Sequence, residues 1–522
     1  DSLCGDKRTN FLNNEGGAYH IVKVILRYDL SLIKTNNQIF VFLGDEGACT
    51  LDSEQFYDFV ISKSFEYELH AMSYATIKTG ARFIESLARR NSVSTESFIR
   101  VGEKDGDLYL DLMDDKLRAV KITSDGWDVI DNYDVMFRRN SSMKGLFIPE
   151  KNGDANLLRN YINYGSEENF RLILTWIIHT LFPQKLVGSK VILNLSGDQG
   201  SSKSTTSKII RSLIDDSHTP LPSIPNNERD LMIVANTGYY LGLDNVSFIT
   251  PKVSDSLAKI STGASFAARR LRTDSETIQF SVSSPVILNG ISETIINRGD
   301  LAERSIIIKL PKLEVKKSDA YLLNNFRSDA PKILGGILDI TAKILEILPE
   351  IKIDNLPRMS DFARIGIALD EVYPSSYKYY EGFEEAYSEN LMQSNYDNIN
   401  NSLLGITIME YLKVGFNPLD GTPTDVYEQL EDHYTQTHPF VGNEFPRNSI
   451  SFSKALTRLT PSLEKVGIEV IKSRGKTRYT KLFDKNSAIV PREVVNDPVE
   501  MAEKRRKFKL KSDLRKKKKK LN

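Results

Sequence analysis

The chain is 522 residues long, 40% apolar and 26% charged, enough for three or four domains with cores of their own. Its longest apolar run, Leu172-Ile-Leu-Thr-Trp-Ile-Ile178, is too short to cross a bilayer. Two cysteines (Cys4, Cys49) and six scattered histidines supply neither a disulfide framework nor a metal-ligand spacing. The net charge of zero hides an asymmetry. Residues 501–522 hold twelve Lys and Arg against Glu503 and Asp513, so residues 1–500 are acidic by the same margin of ten. Such a tail repels itself and draws phosphate backbones. No signal peptide is visible and a cytoplasmic home is expected, while the start at Asp1 rather than methionine leaves an upstream domain open.

In chain order, residues 1–96 read as an α+β region, with a strand at Gln38-Ile-Phe-Val-Phe-Leu43 and a helix from Ser73 to Arg90. Residues 97–155 alternate apolar and polar positions between turn signals, as in Leu108-Tyr-Leu-Asp-Leu112 and Ala119-Val-Lys-Ile122, and predict a small antiparallel β unit. A helix is expected over 157–181. From 156 to 315 strand, loop and helix alternate, the pattern of a doubly wound α/β core. Residues 316–400 read as a helical extension interrupted at Pro349 and Pro357. Residues 401–485 predict a unit of three helices, the second opening at Thr422-Pro-Thr-Asp425, and a hairpin with the basic tip Ser473-Arg-Gly-Lys476. That is the plan of a winged helix-turn-helix, with Arg474 and Lys476 as nucleic-acid contacts. Residues 486–522 form the basic tail.

The chemistry concentrates in the α/β core. An apolar strand, Val191-Ile-Leu-Asn-Leu195, enters Ser196-Gly-Asp-Gln-Gly-Ser-Ser-Lys-Ser-Thr205. Gly197 and Gly200 let backbone N–H groups crowd round phosphates, with Asp198, Gln199, Ser201, Ser202 and Thr205 completing the loop and its exit. The Lys203 amine can reach the β/γ-phosphates and the Ser204 hydroxyl can ligate Mg²⁺. The pattern G-x-x-x-x-G-K-[ST] wants glycine where Ser202 stands; serine is expected to fit there in helical dihedrals. ATP and Mg²⁺ are the implied cofactors.

Downstream, Tyr239-Tyr-Leu-Gly-Leu243 ends in Asp244-Asn245, a carboxylate at the end of a neighbouring strand and so a second metal anchor. Asn245 stands where many such enzymes carry a glutamate base. An amide orients a water but does not take its proton, so the proton acceptor stays open. Pro285-Val-Ile-Leu288 ends in Asn289-Gly290, whose amide can position the attacking water. Arg304, ahead of the strand Ser305-Ile-Ile-Ile-Lys-Leu310, is the candidate to act on a neighbouring subunit's nucleotide, with Arg298 in reserve; surface pairing with Asp300 or Glu303 is the alternative. Between these strands, Phe266 to Phe280 reads as a hairpin loaded with Arg269, Arg270 and Arg272, suited to tracking a nucleic-acid backbone.

Taken together these motifs, with Arg100-Val-Gly-Glu-Lys-Asp-Gly-Asp-Leu-Tyr-Leu-Asp-Leu112 and Asn227-Glu-Arg-Asp-Leu231, resemble the ATPase region of replication proteins from phages, plasmids and mobile elements. These are similar to superfamily 3 and poxvirus primase-helicase enzymes. The resemblance implies an AAA+ P-loop core and a ring, usually hexameric, that unwinds DNA with ATP. It implies single-stranded DNA in the ring, duplex on the winged helix, and a primase as a possible partner. No membrane partner is expected. Lys203, Ser204, Asp244, Asn245 and Asn289 would carry the nucleotide chemistry, with an arginine finger near Arg304. Two other readings stay open: an ATP-gated origin-binding initiator that does not unwind, and a P-loop ATPase acting on protein.

Overall fold

A computed structural model describes residues 21, 24–25, 30, 32–35, 38–43, 48–66, 73–91, 96–140, 142–269, 277–290, 296, 299–314, 318–353, 357–414, 417–438, 445–474 and 478–486. The chain divides into two compact units, Asp1–Ser394 and Asn395–Asn522.

The first unit opens with a three-stranded antiparallel sheet, β1 (Leu32–Thr35), β2 (Gln38–Phe42) and β3 (Ala48–Thr50), and the helices Glu54–Glu66 and Tyr74–Asn91. Ile39, Val41, Phe56, Val60, Ile77 and Ile84 bury the shared face. A two-residue parallel pair, β4 (Ser97–Phe98) with β9 (Met136–Phe137), brackets a four-stranded meander, β5 (Val101–Lys104), β6 (Asp107–Asp111), β7 (Ala119–Thr123) and β8 (Gly126–Ile130). Period-two alternation turns Leu108, Leu110, Val120 and Ile122 into the main core of the unit. The meander is tied to the long helix Asp319–Ile347, where Trp127 Nε1 donates to Asp339 at 2.7 Å.

The expected single helix over 157–181 does not form. A 3₁₀ turn, Ala155–Asn160, is followed by an irregular stretch through Gly165 (φ +78°), and the α-helix Glu167–Thr180 starts afresh with Ser166 as its cap. Glycine in the left-handed region and a capping serine break a pattern whose apolar spacing alone looks continuous.

Four parallel strands then form the α/β core: β10 (Ile192–Ser196), β11 (Leu241–Leu243), β14 (Val286–Gly290) and β15 (Ser305–Lys309), in spatial order β11-β14-β10-β15. The hairpin β12 (Ala264–Arg269) and β13 (Thr277–Val282) is inserted between the helix Pro251–Thr262 and β14. Leu193, Leu195, Ile287, Ile306 and Ile308 face one apolar cluster with Trp176 and Ile209. Ile192, Leu241, Leu243, Val286 and Leu288 face a second, with Leu231 and Leu257. Burial on both faces explains why these strands read as unbroken apolar runs. The helical extension consists of Asp319–Ile347, Ser360–Val372 and Phe383–Asn400; besides the breaks near the two prolines, a third falls at 373–382.

The second unit contains the helices Leu403–Lys413, Pro423–Thr437 and Ser449–Lys465. Thr422 with Asp425, and Asn448 with Ser451, form reciprocal capping boxes that start the latter two. β17 (Ile468–Arg474) and β18 (Arg478–Asp484) form the expected hairpin, joined by a short third strand, β16 (Leu419–Gly421), that the sequence did not announce. Ile408, Leu412, Val426, Leu430, Phe452, Leu456 and Leu482 make its core.

Candidate active site

β10 ends at Ser196, and the loop that follows turns back into the helix Lys203–Ile214. Gly197 has φ +148°, and a Cβ there would stand 2.5 Å from the Leu310 carbonyl oxygen, so only glycine fits. Ser202 does not take the helical dihedrals expected of it. It lies in the left-handed region, φ 57° and ψ 30°, the conformation for which the motif ordinarily supplies glycine. Lys203 folds over the loop, donating to the carbonyls of Gly197 (2.7 Å) and Asp198 (2.8 Å). Burial pushes its pKa down, while the Asp198 and Asp244 carboxylates push it back up. Gln199 and Asp198 are exposed.

The Ser204 hydroxyl donates to Asp244 Oδ1 at 3.0 Å. The strand that Asp244 follows, β11, is one removed from β10 in the sheet, with β14 between them. The register of β14 sets Asn289 beside Leu195 and Gly290 beside Ser196, at the mouth of the loop. The Asn289 amide is already engaged: its oxygen accepts the Asn245 backbone N–H at 2.9 Å and its nitrogen donates to Ser207 at 3.3 Å. The same Asn245 N–H also reaches Asp244 Oδ1 at 2.9 Å. As placed, Asn289 secures the turn after Asp244. Asn245 itself has φ 55°, which asparagine tolerates, and is exposed.

Arg304 sits at the other end of the sheet. Ile192, the first residue of β10, pairs with Ser305 and donates its N–H to the Arg304 carbonyl at 2.9 Å. Four strand residues at about 3.3 Å each separate that level from Ser196, roughly 13 Å. Arg304 therefore lies away from its own phosphate loop. Its Nη1 donates to the Asp300 carbonyl at 2.5 Å, while Glu303 pairs with Arg358 at 2.8 Å. Arg269 ends β12 opposite Thr277, and Arg474 ends β17 opposite Arg478. Arg270, Arg272, Arg298, Lys476 and the tail lie outside the described residues.

Three residues at the site were not foreseen: Asp319, Asn163 and Asp215. Thr205 donates to Asp319 at 3.0 Å, tying the helix after the loop to the start of the long helix. Asn163 donates through its amide to the Ser201 carbonyl at 3.0 Å and the Pro311 carbonyl at 2.8 Å. Its only sequence signal was the Gly165-Ser166 break. Finally, Asp215, at the end of the helix Lys203–Ile214, is buried and accepts from Arg100 Nε (3.3 Å), Arg211 Nη2 (3.3 Å) and the N–H groups of Tyr239 (3.1 Å) and Tyr240 (2.9 Å). Arg100 also donates to the carbonyls of Asp111 and Lys144. One carboxylate thus joins the meander, the loop helix and the approach to Asp244.

Among the described residues no helix is long and apolar enough to cross a membrane, and no group of His, Cys, Asp and Glu could hold a metal by itself. No protein of curated function matches the sequence significantly. The chain is similar to solved structures at low identity. The apo NrS-1 C terminal region (305-718) shares 15% identity, with 90% of this chain and 100% of that chain covered and a TM-score of 0.40. The SCCmec type IV Cch active helicase shares 11%, with 88% of this chain and 94% of that chain covered and a TM-score of 0.43. Residues 155–381 match the model of the actinomycete integrative conjugative element replication protein, and residues 404–492 match the C-terminal domain of the same RepA family. These two stretches run in succession and together span more than half of the chain, which belongs to the integrative-conjugative-element replication protein family they describe.

Proposed function

We propose that this replication protein is an ATP-driven DNA helicase that works as a ring, with one nucleotide at each subunit boundary. The observation that carries the reading is the 3.0 Å approach of the Ser204 hydroxyl to the Asp244 carboxylate at the mouth of a glycine-bearing loop. A hydroxyl and a carboxylate converging beside a lysine are the donor set for Mg²⁺ and a triphosphate. Ser204 and Asp244 would hold the metal, which when bound neutralises charge on the β- and γ-phosphates. The Lys203 amine leaves its loop carbonyls for the phosphate oxygens. Asn289 keeps the Asp244-Asn245 turn in place, and the exposed Asn245 amide orients the attacking water. Arg304, too far from its own loop, serves the neighbouring subunit, where a guanidinium offsets the charge that develops in the transition state.

The inserted hairpin, with Arg269, Arg270 and Arg272, grips one strand. The second unit holds duplex. Its element order is that of a winged helix, and the third helix exposes Lys454, Thr457 and Arg458, with Lys472 of the hairpin donating to Thr457 at 2.9 Å. The test is DNA-stimulated ATP hydrolysis together with displacement of a strand from a forked duplex. Parent protein should do both, and Lys203→Ala or Asp244→Ala should lower turnover at least a hundredfold without unfolding the chain. Unaltered turnover in either variant rejects the site. Hydrolysis without displacement favours the non-unwinding initiator.

A further inference from the structure

We propose that Asn163 presets the phosphate loop, holding the peptide between Ser201 and Ser202 in the orientation that binds nucleotide; this rests on the nucleotide-binding reading of that loop. Ser202 occupies the left-handed region, where a residue with a Cβ does not rest unless its surroundings impose it. Two bonds impose it. Behind Ser202, its carbonyl accepts the Thr206 N–H at 2.9 Å. Ahead of it, the Ser201 carbonyl accepts the Asn163 amide at 3.0 Å.

The second bond sets the plane. A trans peptide points its N–H opposite to its carbonyl, so drawing the Ser201 carbonyl toward Asn163 turns the Ser202 N–H to the other side of the loop. Relaxing φ at Ser202 to negative values would rotate that plane and break the bond. Asn163 is itself well anchored. The same amide nitrogen donates to the Pro311 carbonyl at 2.8 Å, and its backbone N–H donates to Thr206 Oγ1 at 3.2 Å. Pro311 follows Leu310, whose N–H is fixed on Ser196 at 2.8 Å. Asn163 thus clasps the loop between the helix Lys203–Ile214 and the exit of β15. It can do so because the chain is irregular just there, between the 3₁₀ turn and the Ser166 cap. It acts through Ser201 and is a positioning residue.

The test uses full-length parent, Asn163→Ala, Ser202→Gly and the double variant, with binding of a fluorescent ATP analogue and Mg²⁺, steady-state hydrolysis, and circular dichroism to confirm folding. Asn163→Ala should weaken binding about five- to tenfold, the worth of one such hydrogen bond, and raise KM by a like factor. Ser202→Gly supplies the reference against which the double variant is read, whatever its own affinity. In the Ser202→Gly background the Asn163→Ala loss should shrink below about twofold, because glycine enters the left-handed region without help. A residue that merely supports the fold would give the same loss in both backgrounds, and that result overturns the proposal, as does parent-like binding by Asn163→Ala. If the alanine variant fails to fold, Asn163→Leu fills the same space without the donor and is read the same way. A parent that binds no nucleotide sinks the reading of the loop, and this inference with it.

Discussion

Lys190 occupies a setting that its sequence context does not suggest. Between Ser189 and Val191 it reads as a polar residue ahead of a strand, yet it is buried, its ammonium donating to the Phe182 carbonyl and lying 5.8 Å from the Tyr239 ring. Burial pushes its pKa down to about 7, and the neighbouring buried His179 is held neutral, well below its usual range, by burial and by the Lys190 charge. The unfolded chain keeps Lys190 protonated to about pH 10.5, so between about 7 and 10.5 it binds more protons than the native state. Stability therefore rises with pH across that window and is unaffected by this group below and above it. Lys190→Met should remove that rise and be more stable at pH 7 by a few kcal/mol, on the order of the cost of a buried charge with one partner. Urea unfolding of both proteins at several pH values is the check. Parallel pH profiles would show that Lys190 carries no such penalty. Asn163 was equally hidden: apolar periodicity ran through it, and only the left-handed Gly165 and the Ser166 cap released it from a helix.

Among the elements, the meander and the P-loop helix are joined through buried charge. Asp215 faces Arg100 and Arg211, all three almost fully buried. Asp215→Ala would strand two guanidinium groups without their anion, a loss of about 3–5 kcal/mol. Hydrogen exchange should show β5 to β8 opening first, since Arg100 leads directly into β5. Protection lost uniformly over the chain would mean that the network supports the fold at large and does not couple these two elements. The elements themselves were largely legible: β10, β14 and β15 as apolar runs, the helix at 422–437 from its Thr-Pro-Thr-Asp start. β16 was not, because three residues form a strand only by pairing with β18, some sixty positions away.

At the scale of the whole molecule the ring reading turns on Arg304. Its place at the far end of the sheet from its own loop means that Arg304→Ala should bind ATP like parent but hydrolyse it about a hundredfold or more slowly. Mixing it with Lys203→Ala protein should restore part of the activity, since a boundary pairing the intact loop of one with the intact arginine of the other can form. Mixed rings without rescue would move the role to Arg298.

By itself the sequence determined what is written in neighbouring residues. These are the glycine-bearing loop with Lys203-Ser204, the carboxylate Asp244 at a strand end, the apolar strands, and the cap at Thr422. Each depends on backbone conformation and apolar spacing within a few positions, and such preferences are local. The tertiary structure alone decided that β14 comes between β10 and β11, that Asp244 meets Ser204 across forty positions, and that the Asn289 amide is spent on the Asn245 turn. It alone put Arg304 at the opposite end of the sheet, and Ser202 in the left-handed region under the hold of Asn163. Strand order and side-chain partners follow from pairings between residues far apart in the chain, from 38 positions for Asn163 and Ser201 to 148 for Asn163 and Pro311. Their energies depend on which buried groups find hydrogen-bond partners, and no stretch of the chain carries that information alone.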